Sequence, residues 1–214
     1  MIAVSRNVPI DPVHAALLIV DIQNYCAHPD GTGSHKLDAQ QRHYLFHSLR
    51  ETVLPNLQLL QSACRRAHIE VIYAAVENMT RDGRDRSLDY KISGIDVPQG
   101  SWDARVLDEI APVGDEMVFC KTSSSVFIST NIDYILRNLG VRSLIVAGMM
   151  TDQCVESAVR DACDLGYLVT LVSDACTTES AERHEQSLLG IRGYCRQSTT
   201  DLLLAEIATL TGSR

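Results

Sequence analysis

The sequence predicts an α/β sandwich built on a mainly parallel sheet, and two observations carry that prediction. Apolar runs such as Ala15-Ala16-Leu17-Leu18-Ile19-Val20 lack polar alternation, as strands covered on both faces do. Between such runs lie segments whose apolar residues recur every three or four positions, as in helices laid on a sheet. There is no internal repeat, linker or low-complexity tract, so 1–214 reads as one domain with one substantial core.

The first strand stops at Asp21. Leu45, Leu49, Val53, Leu57, Leu60 and Cys64 then mark a long helix over about 39–67, and Pro55 inside it predicts a kink or a break into two helices. Residues 69–76 predict a second strand. From Glu77 to about Gly100 the chain is polar and punctuated by Gly83, Gly94 and Pro98, and a loop this long is uncommon unless it has a task. Residues 116–120 predict a short strand ending at Lys121, and Ile132, Ile135, Leu136 and Leu139 a helix stopped by Gly140. A strand over 143–147 follows, then a helix marked by Val155, Ala158, Val159 and Ala162 and closed by Gly166. Residues 167–172 predict a strand ending at Ser173-Asp174. Helices over 181–191 and 199–210 complete the chain, with a short strand near 194–197.

A net charge of −8 argues against a nucleic-acid partner, and an aromatic content of 5% against base-stacking platforms. No apolar run approaches the roughly 18 residues that span a bilayer, and residues 1–9 lack the apolar core of a signal peptide, so no membrane partner is expected. The seven cysteines are odd in number and form no C-x-x-C pair, which disfavours a disulfide framework or a zinc ribbon. A reducing, cytoplasmic location follows, with thiols such as Cys64, Cys163 and Cys195 buried as small hydrophobes.

Ligands of open parallel sheets bind beyond the carboxyl ends of the strands. Asp21, Lys121 and Cys154 each fall at or just past such an end. Cys154 also sits in the first turn of the next helix, where unpaired N–H groups and partial positive charge lower a thiol pKa and favour the nucleophilic thiolate. An acid, an amine and a thiol aimed at one rim read as a cysteine hydrolase.

Three segments carry a family resemblance: Leu18-Ile19-Val20-Asp21-Ile22-Gln23-Asn24, then Lys121 with the Ser/Phe stretch after it, then 146–162, which includes Gly148-Met149-Met150-Thr151-Asp152-Gln153-Cys154. In these the chain resembles the isochorismatase-like cysteine hydrolases, among them nicotinamidases and the N-carbamoylsarcosine, ureidoacrylate and biuret amidohydrolases. The resemblance spans about 15–207. It implies a three-layer sandwich with a six-stranded sheet flanked by helices, and a catalytic triad of Asp21, Lys121 and Cys154. It also implies a non-proline cis peptide between Met149 and Met150, with the N–H groups of Met150 and Cys154 forming an oxyanion hole. Metal-binding nicotinamidases carry an Asp-x-His pair after the second strand; here that region reads Val76-Glu77-Asn78-Met79-Thr80, so neither a metal nor another cofactor is expected. Members acting on isochorismate often lack the cysteine, so its presence favours C–N hydrolysis over vinyl-ether cleavage. A catalytically silent binding member is the remaining alternative.

The implied substrate is a small amide or ureido compound. Its candidate contacts are Gln23, Asn24, Glu77, Arg84, Arg86 and Tyr90. Gln23 and Asn24 either touch substrate or order the turn. The loop 80–91 is either solvated surface or a lid or interface arm, and an arginine in it could pair bidentately with a substrate carboxylate. Trp102 either covers the pocket or packs elsewhere. Cys26 and Cys120 flank triad positions and read as wall packing. His43 and His47 have ligand spacing on a helix but no third ligand. Members of the family are commonly homo-oligomers, dimers or tetramers, and the same is expected here.

Overall fold

The computed structural model describes residues 5–211, so the first four residues of the leader reading lie outside the described residues. Six strands form one sheet: β1 (Ala15–Val20), β2 (Glu70–Val76), β3 (Met117–Lys121), β4 (Ser143–Met149), β5 (Leu168–Thr177) and β6 (Arg196–Ser198). Their order is β3-β2-β1-β4-β5-β6, and every neighbouring pair is parallel. The chain winds outward from β1 in one direction through β2 and β3, then returns to β4 on the other side of β1. The order therefore reverses between β1 and β4, which is where such sheets open a ligand crevice. β1 and β4 are buried at every position, in accord with their unbroken apolar runs.

Helices cover the sheet. α1 (Asn24–Ala27), α2 (Ala39–Ser48), α3 (Leu54–Arg66) and α4 (Leu88–Ile92) precede β3; α5 (Val126–Ser129), α6 (Ile132–Asn138), α7 (Glu156–Asp164), α8 (Ala181–Ile191) and α9 (Thr200–Thr211) follow it. Among the described residues no helix is long and apolar enough to cross a membrane.

The structure departs from the sequence expectations at three elements. Pro55 does not break the helix: a five-residue π turn, Leu49–Val53, joins α2 to α3. The Leu54 N–H reaches back to the Leu49 carbonyl, and this wider winding admits a proline that has no N–H of its own. β5 does not end at Ser173-Asp174. Its pairing with β4 shifts register between Val146 and Gly148, and the strand runs on to Thr177. At the irregularity the Asp174 carboxylate turns away to accept from the Thr200 N–H and hydroxyl, both at 2.8 Å, capping α9. The polar stretch after β2 is not wholly loop, because Ser87 caps the short α4 within it.

Candidate active site

Asp21 follows the last residue of β1 and has φ of +52°, a left-handed conformation that Asp tolerates better than most residues. Lys121 closes β3, paired with Val76 of β2. Cys154 lies in a π turn, Thr151–Val155, between β4 and α7, rather than in the first turn of an α-helix. The peptide between Met149 and Met150 is cis.

These three strand ends converge. Lys121 Nζ stands 2.9 Å from Asp21 Oδ2 and donates to Cys154 Sγ at 3.3 Å. The same ammonium donates to Tyr90 Oη at 2.9 Å and to the Ser123 carbonyl at 3.1 Å. Tyr90 Oη is 3.8 Å from Cys154 Sγ. All four side chains are buried, Lys121 completely. Asp21 Oδ1 is also buried and has no hydrogen-bond partner among the described residues.

Burial dominates the electrostatics. It raises the Asp21 carboxyl above its ordinary 3.8, partly opposed by the Lys121 charge. Burial alone would lower Lys121, but the charges of Asp21 and Cys154 and the bond to Tyr90 outweigh it and keep the ammonium protonated. The Cys154 thiol is pushed up to about 12, by burial first and the Asp21 charge second, with Lys121 opposing. The expectation of a lowered thiol pKa from the helix start is thus corrected: enclosure beside a carboxylate outweighs the turn and the nearby cation.

A cavity of about 150 Å³ opens onto this cluster. Asp21, Tyr90, Met149, Met150 and Cys154 face it, as does Cys26, whose thiol donates to the Asp21 carbonyl at 3.1 Å. Of the six expected substrate contacts, only Tyr90 lines it. Gln23 is wholly buried; its amide donates to the Val76 and Asp103 carbonyls and accepts from the Val76 N–H, clamping β1 to β2. Asn24 donates to the Trp102 carbonyl. Glu77 accepts from the Gly100 N–H and the Cys120 thiol, so Cys120 is an exposed thiol outside the cavity. Arg84 pairs with Asp82 in solvent. Arg86 donates to the Gly83 and Ile95 carbonyls and faces Asp96, holding its own loop together. Trp102 packs its edge against His28, away from the cavity. Cys163 is half-buried rather than enclosed.

The cavity wall also contains Tyr25, Lys36, Gln153 and Glu179, none of them expected from the sequence. Glu179 lies just past the true end of β5, so the strand-end rule would have found it had that strand been carried to Thr177. Lys36 ends a short 3-10 turn in an otherwise irregular segment and carries no such signal.

A three-layer parallel sandwich with a thiol, a carboxylate and an ammonium gathered at its switch point has the architecture of a cysteine hydrolase. The chain belongs to the isochorismatase family: the Isochorismatase domain model matches residues 15–202. Among solved structures it is similar to a cysteine hydrolase from Pseudomonas syringae pv. phaseolicola 1448A, with 25% identity over 95% of this chain and 97% of that one, and a TM-score of 0.82. It shares its fold with an N-carbamoylsarcosine amidase from Thermoplasma acidophilum, at 23% identity over 88% and 97% of the two chains and a TM-score of 0.69. It also shares it with a pyrazinamidase of Pyrococcus horikoshii in complex with zinc, at 17% identity over 87% and 99% and a TM-score of 0.67. Among the described residues here, no three His, Cys, Asp or Glu side chains gather as metal ligands. Glu77 is engaged as above, and Asn78 donates to Asp96, so the segment after β2 does not fit a zinc site.

Proposed function

We propose that the chain hydrolyses a C–N bond of a small amide or ureido compound through a thioester on Cys154. The observation that carries this reading is the Lys121 ammonium lying 2.9 Å from the Asp21 carboxylate and 3.3 Å from the Cys154 sulfur, behind a cavity that both partners face.

Asp21 is the general base, and its unpartnered Oδ1 is available to the thiol proton. Because the thiol is pushed up to about 12, it stays protonated until the attack and hands its proton to Asp21 as the S–C bond forms. Lys121 supplies the positive charge that the developing thiolate needs. The carbonyl electron pair moves to oxygen, which the Met150 and Cys154 N–H groups receive; one such donor is worth about 2.7–4 kcal/mol in comparable enzymes. Collapse breaks the C–N bond, and Asp21 delivers its proton to the departing nitrogen. Water then attacks the thioester, giving a proton to Asp21, which returns it to the leaving sulfur. The products are ammonia or an amine, and an acid or a carbamate.

Two measurements test this reading: ammonia release from a panel of amide and ureido compounds, and intact-protein mass spectrometry for a thioester. Cys154→Ala should release nothing and carry no adduct; undiminished turnover would overturn the nucleophile. Cys154→Ser retaining most activity on a vinyl ether would favour the non-covalent alternative.

A further inference from the structure

The C–N hydrolysis reading assigns the reacting end of the substrate and leaves its other end without a partner. The arginines offered by the sequence are turned into their own loop. Lys36 is the only cationic side chain among the described residues that line the cavity. Its Nζ donates to the Gly94 carbonyl at 2.6 Å and lies 3.5 Å from both the Tyr25 hydroxyl and the Ser93 carbonyl. All three partners are uncharged, and among the described residues no carboxylate stands within ion-pair distance of Lys36. The cavity's own carboxylates are engaged elsewhere. Asp21 is paired with Lys121, and Glu179 is bound by Arg183 and by the Gln41 amide at 3.1 Å. Arg183 is shared between Glu179 and Asp152, so the wall as a whole is not positive, but Lys36 is a cation bonded only to neutral oxygens in the same small cavity as the sulfur.

We propose that Lys36 reads a carboxylate on the substrate, so that the compound hydrolysed is a small anion with its amide or ureido carbonyl at Cys154 and its acid group at Lys36. The proposal rests on the C–N hydrolysis reading for the word substrate, but the charge selectivity it asserts can be measured without turnover. A carboxylate arriving at Lys36 gains a charge-assisted bond from an ammonium whose present partners are neutral oxygens. The Tyr25 hydroxyl beside it can add a second donor.

A competing role exists. Ser93 and Gly94 follow the last turn of α4, whose Tyr90 reaches the reacting sulfur, so Lys36 could act only as a clamp on that helix end. A clamp would serve neutral and anionic compounds alike, whereas a carboxylate reader distinguishes them.

Iodoacetate and iodoacetamide alkylate the same sulfur and differ by one charge. The rate of modification at Cys154 is followed by peptide mass spectrometry, which separates it from the exposed Cys120. In Lys36→Met the ratio of the iodoacetate rate to the iodoacetamide rate should fall by at least about fivefold, the effect of one unit charge near 4 Å in water-like surroundings. Lys36→Arg should restore the ratio. A ratio that stays constant, whether both rates hold or fall together, overturns the proposal and leaves Lys36 as a clamp. Full turnover by Cys154→Ala would overturn the thioester step while leaving the charge ratio to be judged by itself.

Discussion

The Tyr90 hydroxyl accepts a 2.9 Å hydrogen bond from Lys121 Nζ, so a five-residue helix in a polar loop touches the most enclosed cation of the site. Lys121 has three protons and four neighbours: Asp21 Oδ2, Tyr90 Oη, the Ser123 carbonyl and Cys154 Sγ. Tyr90→Phe leaves three acceptors for three donors. Its kcat/KM should fall by less than about tenfold, in line with one hydrogen bond of ~0.5–1.5 kcal/mol. Lys121→Met behaves differently. It removes the charge that holds Asp21 down, so burial drives that carboxyl further up and disables the base. Steady-state kinetics should show a loss of about 10²–10⁴. Similar losses for the two variants would contradict the assignment of the charge to Lys121.

The raised Asp21 carboxyl sets a pH limb. Asp21 must be ionised to take the thiol proton, and burial lifts its pKa above 3.8 although Lys121 opposes. Activity should therefore fall as pH drops through that raised value, and the acid limb of kcat/KM should lie above the ordinary carboxylate position. The linkage has the opposite sense for stability. A carboxyl whose folded pKa is raised binds its proton more tightly in the native state, so its contribution favours folding at low pH and is lost as pH rises. Acidification should silence the enzyme before it unfolds, as parallel rate and circular-dichroism titrations can show. A limb at or below 3.8 would contradict the burial argument.

What the sequence revealed and what it hid have separate physical reasons. Asp21, Lys121 and Cys154 were legible because each lies at or shortly past the end of an apolar strand, and a parallel sheet aligns strand ends on one rim whatever lies between them. Of the two roles the sequence left open for Gln23, the structure shows the ordering one, because its amide is satisfied by the Val76 and Asp103 backbone while Asp21 faces the cavity. Glu179 was hidden by the irregularity at Asp174, which makes β5 look shorter than it is. Tyr90, expected as a substrate contact, and Lys36, not expected, both arrive from segments with no hydrophobic period. Only tertiary contacts place them, such as the small cluster of Tyr25, Val76, Tyr90 and Val97.

The two loop arginines should separate cleanly. Arg84 forms an exposed ion pair with Asp82 that solvent screens, so Arg84→Ala should leave melting and kcat/KM nearly unchanged. Arg86 joins the Gly83 and Ile95 carbonyls across the same loop, and Ile95 lines the cavity. Arg86→Ala should lower stability by about 1–3 kcal/mol through the carbonyls left unpaired, and should raise KM as the cavity wall loosens. Thermal melts and kinetics on both variants decide this; a large kinetic loss in Arg84→Ala would return it to the list of substrate contacts.

The approach of β4 to β1 beside the site depends on a missing side chain. Gly148 has φ of +123°, and a Cβ there would lie 2.1 Å from the Val20 carbonyl oxygen and 2.6 Å from the Val20 nitrogen. Both are backbone atoms of a central strand, so neither can move without displacing Asp21, the next residue in the chain. Gly148→Ala therefore meets a steric clash and a backbone conformation that L residues rarely adopt. It should cost well over 3 kcal/mol, beyond the usual range for single substitutions. Gly193 provides the control, because a Cβ there meets nothing within 4 Å and its φ is not positive. Gly193→Ala should be neutral or stabilise by up to about 1 kcal/mol, through the smaller entropy of the unfolded chain. Denaturant melts of the pair should differ by at least about 3 kcal/mol. If they coincide, the two strands do not lie as close as the site requires, and the convergence of Asp21 with Cys154 loses its structural cause.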